Sequence, residues 1–495
     1  MPGVVVTTAI RRGARNTVNN ATSSFFVVGD AQRGPVESVQ TVTSLEQFEA
    51  IFGDYVSHAY LWQTLQVFFE EGGATAHIVR VAPSNADTAA LSLFAPVDST
   101  PTAVVTVSAV GPGAWANTAL KGKVVTSGSG VKFELYVDGA TSPVAATGTV
   151  TTAAEIVAAI NANTTLALFV TAALIDTDYA DAVMSTTASL QDFEDGLNGT
   201  GAPAAADIVS ALDLFLDTFG GGAVAAPGYS SETVNAGLIQ HANAYNRFAL
   251  MAAGDDETTA TEALDFVTDL DLAATENMEH GAMYYPWVTI PYGTGSITCP
   301  PEGYVAGVRA RVHTGAGQWQ PYAGALSAAL FVNGVATSLG RTQNNTLDAG
   351  RVNAIRIINN TVRIYGARSL AADTENFKYV SIQETTNRIV IEAQNALEDL
   401  VFSPIDGRRA IYGRIKASLM GIMEPLRSAG ALFAGTDATG QPTDSGYYIV
   451  VDDTINPLTQ LATGVVRARI AFRMSGVTDT IQLEIVKSNL TTPIS

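Results

Sequence analysis

The residue types that do chemistry are present in this chain, but their spacing assembles no recognised site. His58, His77, His241, His280 and His313 are scattered without ligand spacing. Each reads as packing or surface. Asp176, Asp178 and Asp181 suggest a calcium loop but lack its glycine turn and the bidentate Glu at the twelfth position. Asp255-Asp256-Glu257 precedes a helical pattern, where acids complement a helix N-terminus. Gly128-Ser129-Gly130 comes near the G-x-S-x-G elbow and reads as a hairpin turn. Cys299, ahead of Pro300-Pro301, has no obvious base beside it. Neither G-x-x-x-x-G-K-[ST] nor H-E-x-x-H occurs. The expectation is no catalytic, cofactor-binding or metal residue, although distant segments can still assemble a site.

Composition narrows the class. The chain has 495 residues, with 27 Lys+Arg against 47 Asp+Glu and a net charge of −20. Hydrophobic residues make up 47%, too many for disorder, and the length suggests about three domains. Phosphate attraction needs clustered bases, so a general nucleic-acid or anionic-membrane binder is disfavoured. No apolar run reaches the ~18 residues of a membrane span. Met1-Pro2-Gly3-Val4 lacks the order of a signal peptide. A single cysteine excludes an intrachain disulfide framework and a zinc finger. The default expectation is a soluble protein made and kept in cytoplasm. The charge is uneven: residues 81–308 carry 4 bases against 25 acids, while 309–495 carry 18 bases against 15 acids.

The elements that would position any site follow from periodicity. Val4-Val5-Val6-Thr7-Thr8 is a β-prone run without a local turn to pair it, so 1–20 reads as an arm. Residues 24–29 form a buried strand signal, and Ser44 with Gln47 forms a capping box for a short helix. Tyr60, Leu61, Thr64, Leu65, Phe68 and Phe69 make one helical stripe, followed by a strand at 76–81. Residues 96–190 read as a separate, mostly β domain, with Asp138-Gly139 as a hairpin turn and one helix over 153–160. From about 205, helices (207–219, 234–246, 262–272) alternate with strands (223–226, 248–252, 282–290), so the α/β core resumes after an insertion. Helices are expected over 376–395 and 407–428, and strands over 447–451, 465–474 and 480–486. The last alternates through Ile481, Leu483 and Ile485 as a second arm. The fold class is a multidomain α+β and α/β protein. Its expected divisions are 1–20 (arm), 21–95 (core), 96–190 (insertion), 191–350 (core), 351–475 (C-terminal α+β domain) and 476–495 (arm).

Several segments together resemble the contractile bacteriophage tail sheath proteins, a family also found in related contractile injection systems. Pro2-Gly3-Val4 with its valine-rich continuation is similar to that family's N-terminus. Gly29 to Val36 resembles "G-x-x-x-x-G-P" followed by valine, and Thr43 to Phe48 with Phe52-Gly53 resembles the helix after it. Phe68-Phe69-Glu70-Glu71-Gly72-Gly73 and Ile78-Val79-Arg80-Val81 resemble "F-F-x-N-G-G" and "V-V-R-V", with Glu71 in place of Asn. Gly111 to Asn117 resembles the "G-x-W-G-N" lead-in to the inserted domain. Pro300-Pro301 with Val305-Ala306-Gly307 resembles "P-P-S-G-x-V-A-G", with Glu302 for Ser. Asn353 through Arg363-Ile364-Tyr365-Gly366-Ala367-Arg368-Ser369-Leu370 resembles "I-N-x-I-R … V-W-G-A-R-T-L", with Tyr365 for Trp and Ser369 for Thr. Gln318 to Gly324 departs from the usual "W-K-A-P-A-N".

The resemblance implies a structural, non-enzymatic and cofactor-free subunit of a contractile tail sheath. It implies stacked hexameric rings of this chain around a tail tube protein, in contact with baseplate and tail terminator proteins. Contraction would drive the tube through the host envelope for genome delivery. The location implied is the virion tail, assembled in host cytoplasm, with no direct nucleic-acid contact and no membrane insertion. Val4, Val5, Val6, Thr7, Ile481, Leu483 and Ile485 would then add as strands to neighbouring subunits; arms folded back on their own chain are the alternative. The insertion would face outward and the C-terminal domain the tube. Arg408, Arg409, Arg414 and Lys416 are the expected contacts with an acidic tube surface, against a solvated helix face. Other readings are a sheath from a non-phage injector or bacteriocin, an α/β enzyme, and an adhesion module carried by 96–190.

Overall fold

The computed structural model describes residues 23–272, 275–371, 376–441 and 443–478. The N-terminal arm and the strand around Ile481, Leu483 and Ile485 lie outside these residues. The described residues divide into two compact units, one ending at Ile391 and the other beginning at Glu392.

The larger unit opens with the expected strand–helix–helix–strand unit, plus one added edge strand. β1 (Ser24–Gly29) and β2 (Val39–Val42) precede α1 (Leu45–Phe52), α2 (Leu61–Glu70) and β3 (Ala76–Arg80). Ser44 Oγ accepts the Gln47 N–H at 3.3 Å, and Gln47 Oε1 accepts the Thr43 N–H at 2.9 Å. The cap forms as expected, with its return bond one residue earlier.

The insertion follows: β4 (Ala90–Val97), β5 (Thr100–Ala109), α3 (Trp115–Ala119), β6 (Leu120–Ser127), β7 (Gly130–Val137), β8 (Ala145–Ala146), α4 (Ala153–Ala162), β9 (Val170–Leu174) and β10 (Gln191–Asp192). Its strands form two sheets, β4-β5-β9 and β10-β6-β7-β8. Leu93, Val105, Leu120, Val124, Phe133, Ile156 and Ile160 share its core. Asp138 and Gly139 have positive φ, as an Asp-Gly turn demands. Gly111 sets the lead-in against the core. At φ +80, a Cβ there would lie 2.1 Å from Gly34 O. Arg33 stacks over Trp115 and Phe169 at 5.2 and 4.9 Å. The Asn117 amide exchanges bonds of 2.8 and 2.9 Å with the Gly196 backbone, so the outgoing and returning chains lie side by side.

The core then resumes with α5 (Ala205–Leu212), β11 (Gly222–Ala225), α6 (Glu232–Ala244), β12 (Phe248–Ala252), α7 (Ala260–Asp269), β13 (Gly281–Tyr285), β14 (Val288–Tyr292), β15 (Gly295–Cys299), α8 (Glu302–Gly315), β16 (Gly334–Val335), α9 (Arg341–Ala349), β17 (Val352–Ile358) and β18 (Thr361–Ile364). The main sheet has the order β18-β17-β13-β12-β11-β1-β3-β2. Its six inner strands are parallel, and β2 and β18 pair antiparallel at the edges. Both faces are covered, which is why β1 reads as an unbroken apolar run. Phe25 and Val27 join Phe48, Leu65, Phe68, Val305 and Val308 on one face. Phe26 and Val28 join Ile208, Leu212, Val234, Leu238 and Leu347 on the other. Gly303 and Gly307 let α8 lie against α2, since Cβ atoms there would sit 2.3 Å from Thr64 O and 2.6 Å from Glu71 Cβ.

In the larger unit three expectations are redrawn by the backbone. The strand expected over 282–290 is two, because Pro286 lacks an N–H for the ladder and β14 pairs instead with β15 and β16. The main sheet runs past residue 350, since β17 pairs with β13. The helix expected over 207–219 stops at Leu212.

α10 (Val380–Glu398) contains the division between the units. The smaller unit continues with α11 (Ala410–Ser428), β19 (Tyr447–Val450), α12 (Leu458–Leu461) and β20 (Arg469–Phe472). The strand expected over 465–474 is confined to β20, which pairs antiparallel with β19.

Candidate functional site

In an open α/β sheet the usual ligand site is the crevice at the carboxyl ends of the strands, where the winding reverses. Here that point lies between β1 and β11, and a buried ion pair follows the end of β1. Arg80 Nε lies 3.1 Å from Asp30 Oδ1, both side chains being almost wholly buried. The same guanidinium donates to Gly34 O and Pro112 O at 2.9 Å each. Burial pushes the Tyr229 phenol up beside them, with the Asp30 charge adding to the effect.

The residues with chemical potential are placed structurally. Cys299 is buried, and burial pushes its thiol up, away from the thiolate form. Asp176 Oδ1 accepts the Asp178 N–H at 3.0 Å in an exposed turn. Among the described residues no group of three or more His, Cys, Asp or Glu could hold a metal ion. Gly128 and Ser129 form the β6–β7 turn. Asp255 to Glu257 stand before α7, while its cap is Thr259 with Glu262. His77, His241, His280 and His313 are buried. Among the described residues no helix is long and apolar enough to cross a membrane.

The basic residues expected to make contacts lie in the smaller unit. α11 buries Ile411, Tyr412, Ile415, Leu419, Ile422, Met423 and Leu426 along one stripe. Its opposite face exposes Gly413, Arg414, Lys416, Ala417, Met420 and Gly421. Arg408 is exposed just before it. Arg409 differs from the other three bases: its Nε donates to Asp453 Oδ1 at 2.7 Å, and Tyr412 OH donates to the same oxygen at 3.2 Å. Arg414 Nη1 reaches Ser403 Oγ at 3.2 Å. Arg408, Arg414 and Lys416 therefore present charge outward, while Arg409 ties the start of α11 to the 453 loop.

Beside α11 sits the β19–β20 ribbon. Tyr447 OH donates to Glu424 Oε1 at 2.5 Å, and Arg473 Nη2 donates to both carboxylate oxygens of Asp444 at 2.7 and 2.8 Å. The Arg473 bond holds the Asp444 carboxyl down to about 2. Among the described residues neither strand has a further ladder partner, and Tyr448 is 67% exposed on the outer face. Such a two-stranded ribbon offers open edges to an incoming strand.

Sequence reasoning missed the buried polar anchors. Glu71, Asp30–Arg80 and Arg309–Glu384 join residues far apart in the chain. Two signals pointed toward such anchors. Glu71 replaces a usual Asn, and Arg247 is the only base between Lys132 and Arg309. The structure buries Arg247, which donates to Phe215 O, Leu216 O and Gly220 O.

No family model matches the chain, and no curated protein matches it. Solved structures do. The helical sheath of the anti-feeding prophage in its contracted state aligns over 97% of this chain and 99% of that one, with 13% identity and a TM-score of 0.56. A chain of the same system's baseplate, solved with 6-fold symmetry, aligns over 99% and 96%, with 14% identity and a TM-score of 0.54. A sheath tail protein from Listeria innocua aligns over 87% and 89%, with 14% identity and a TM-score of 0.60. The chain has the sheath-protein fold of contractile systems.

Proposed function

We propose that this chain is the structural subunit of a contractile tail sheath. It polymerises as stacked rings of six around a tail tube, meets baseplate and terminator proteins at the ends, and contracts to drive the tube through a host envelope. The observation that carries the reading is the near end-to-end alignment with a helical sheath in its contracted state. The six-fold symmetry of the similar baseplate chain supports six subunits per ring. No catalytic or cofactor role is assigned, and the energy of contraction is the difference between two packings of the same subunits.

The arms supply the links. Val4 to Thr7 and Ile481, Leu483 and Ile485 are β-prone, and β19–β20 offers open edges to such strands from neighbouring subunits. A 20-residue arm spans at most about 65 Å, long enough to tether neighbours while rings turn. Arg408, Arg414 and Lys416 face an acidic tube surface. Deleting residues 1–18 should leave a soluble monomer under conditions where the full chain polymerises. Polymers of normal length from the truncated chain would refute the arm assignment. Genome delivery from a virion is the first reading. A non-phage injector is the second, favoured by the likeness to the anti-feeding prophage sheath. DNA-filled heads on purified particles distinguish the two.

A further inference from the structure

The segment from Gly324 to Asn333 exposes Leu330 by 68% and Leu326 by 44%. Its backbone is nonetheless held from beneath almost residue by residue. Glu71, fully buried at the end of α2, accepts the N–H groups of Leu330, Phe331 and Val332 at 3.0, 2.9 and 3.1 Å. Arg311 donates to Ala328 O at 2.9 Å and lies 3.4 Å from the Glu71 carboxylate. Ser327 Oγ donates to Ile364 O at 3.1 Å, and Tyr304 OH donates to Ser327 O at 2.5 Å. The Ala329 N–H donates to Val362 O at 2.9 Å, so the segment also covers the free edge of β18. Leu330 is thus fixed in water by a carboxylate that could have faced solvent itself, and Leu326 sits on the same segment, one residue before the anchored Ser327. Ordering such a segment is a cost of binding that this chain has already met by folding.

We infer that Leu326 and Leu330 form a preformed anchor that docks on a second copy of this chain, with Glu71 as its positioning residue. The inference rests on the sheath reading for the fact of self-assembly. Charge decides the occupant. Residues 309–391, which carry the anchor, hold 9 bases against 4 acids. Residues 81–308, in the same unit, hold 4 bases against 25 acids. One copy's basic part therefore complements another copy's acidic part, in a head-to-tail contact that extends into a filament.

The test uses the full chain. Leu330→Asp alters an exposed side chain, so its urea midpoint should match the wild type. Its self-association by sedimentation should weaken at least about tenfold. Glu71→Gln should speed amide exchange at 330–332 and weaken association in parallel. A photo-crosslinker at position 330 should join residues within 81–308 of a second copy. Unchanged association of Leu330→Asp, with intact tubes, overturns the anchor and leaves the sheath reading standing. Crosslinks only to a different protein overturn the occupant. A wild-type chain that stays monomeric overturns both.

Discussion

Glu302 gives the sharpest test of the packing. It is the first residue of α8, buried to 3% exposure, and its Oε2 has no hydrogen-bond partner among the described residues. Burial pushes its carboxyl up to about 8 from an ordinary 4.5. The folded chain therefore holds a proton that the unfolded chain has lost. This stabilising contribution is complete below about pH 4.5 and drains away as pH rises toward 8. At about 1.4 kcal/mol per pH unit, the loss between pH 5 and pH 8 is roughly 3–4 kcal/mol. Glu302→Gln keeps the shape and removes the charge. Urea titrations of both proteins should give nearly equal midpoints at pH 5. At pH 8 the variant should be the more stable by roughly 3–4 kcal/mol. Parallel pH profiles would refute the argument, because they would mean the buried carboxylate ionises at no cost.

Four further outcomes follow. Arg309 and Glu384 are both buried and paired at 2.5 Å, so Arg309→Met or Glu384→Leu alone should cost about 3–5 kcal/mol in urea unfolding, while the double variant should recover most of it. Burial, with Arg247 nearby, holds His77 down to about 4 and His241 down to about 3. Both have an unfolded value of 6.5, so their contribution to stability should be full above that pH and be lost as pH drops toward 4; His77→Gln should flatten that acid limb. Arg408→Glu with Arg414→Glu should leave the urea midpoint unchanged and block tube association in co-sedimentation. Arg409→Ala should lower the urea midpoint only slightly, because its tie to Asp453 is exposed to solvent.

How far the fold could be read depended on whether local pattern matched tertiary fate. β1, β3, β11 and β12 were legible because strands buried on both faces leave continuous apolar runs. α1 was legible through Ser44 and Gln47. The split at Pro286 was missed because the apolar pattern of 282–290 continues across it. Arg409 was grouped with Arg408 because sequence gives no sign of Asp453, 44 residues away. The anchor at 324–333 was invisible for the same reason: its support is Glu71, about 260 residues earlier. The buried pair of Asp30 and Arg80 likewise needed the topology, since the two residues lie 50 apart in the chain.

The central claim is that copies of this chain assemble into a contractile sheath. Electron microscopy of the purified protein, alone and co-expressed with a candidate tube protein, tests this most directly. The account predicts tubes or stacked rings with six subunits per ring, wider and shorter in the contracted form. Dispersed monomers under both conditions would contradict it.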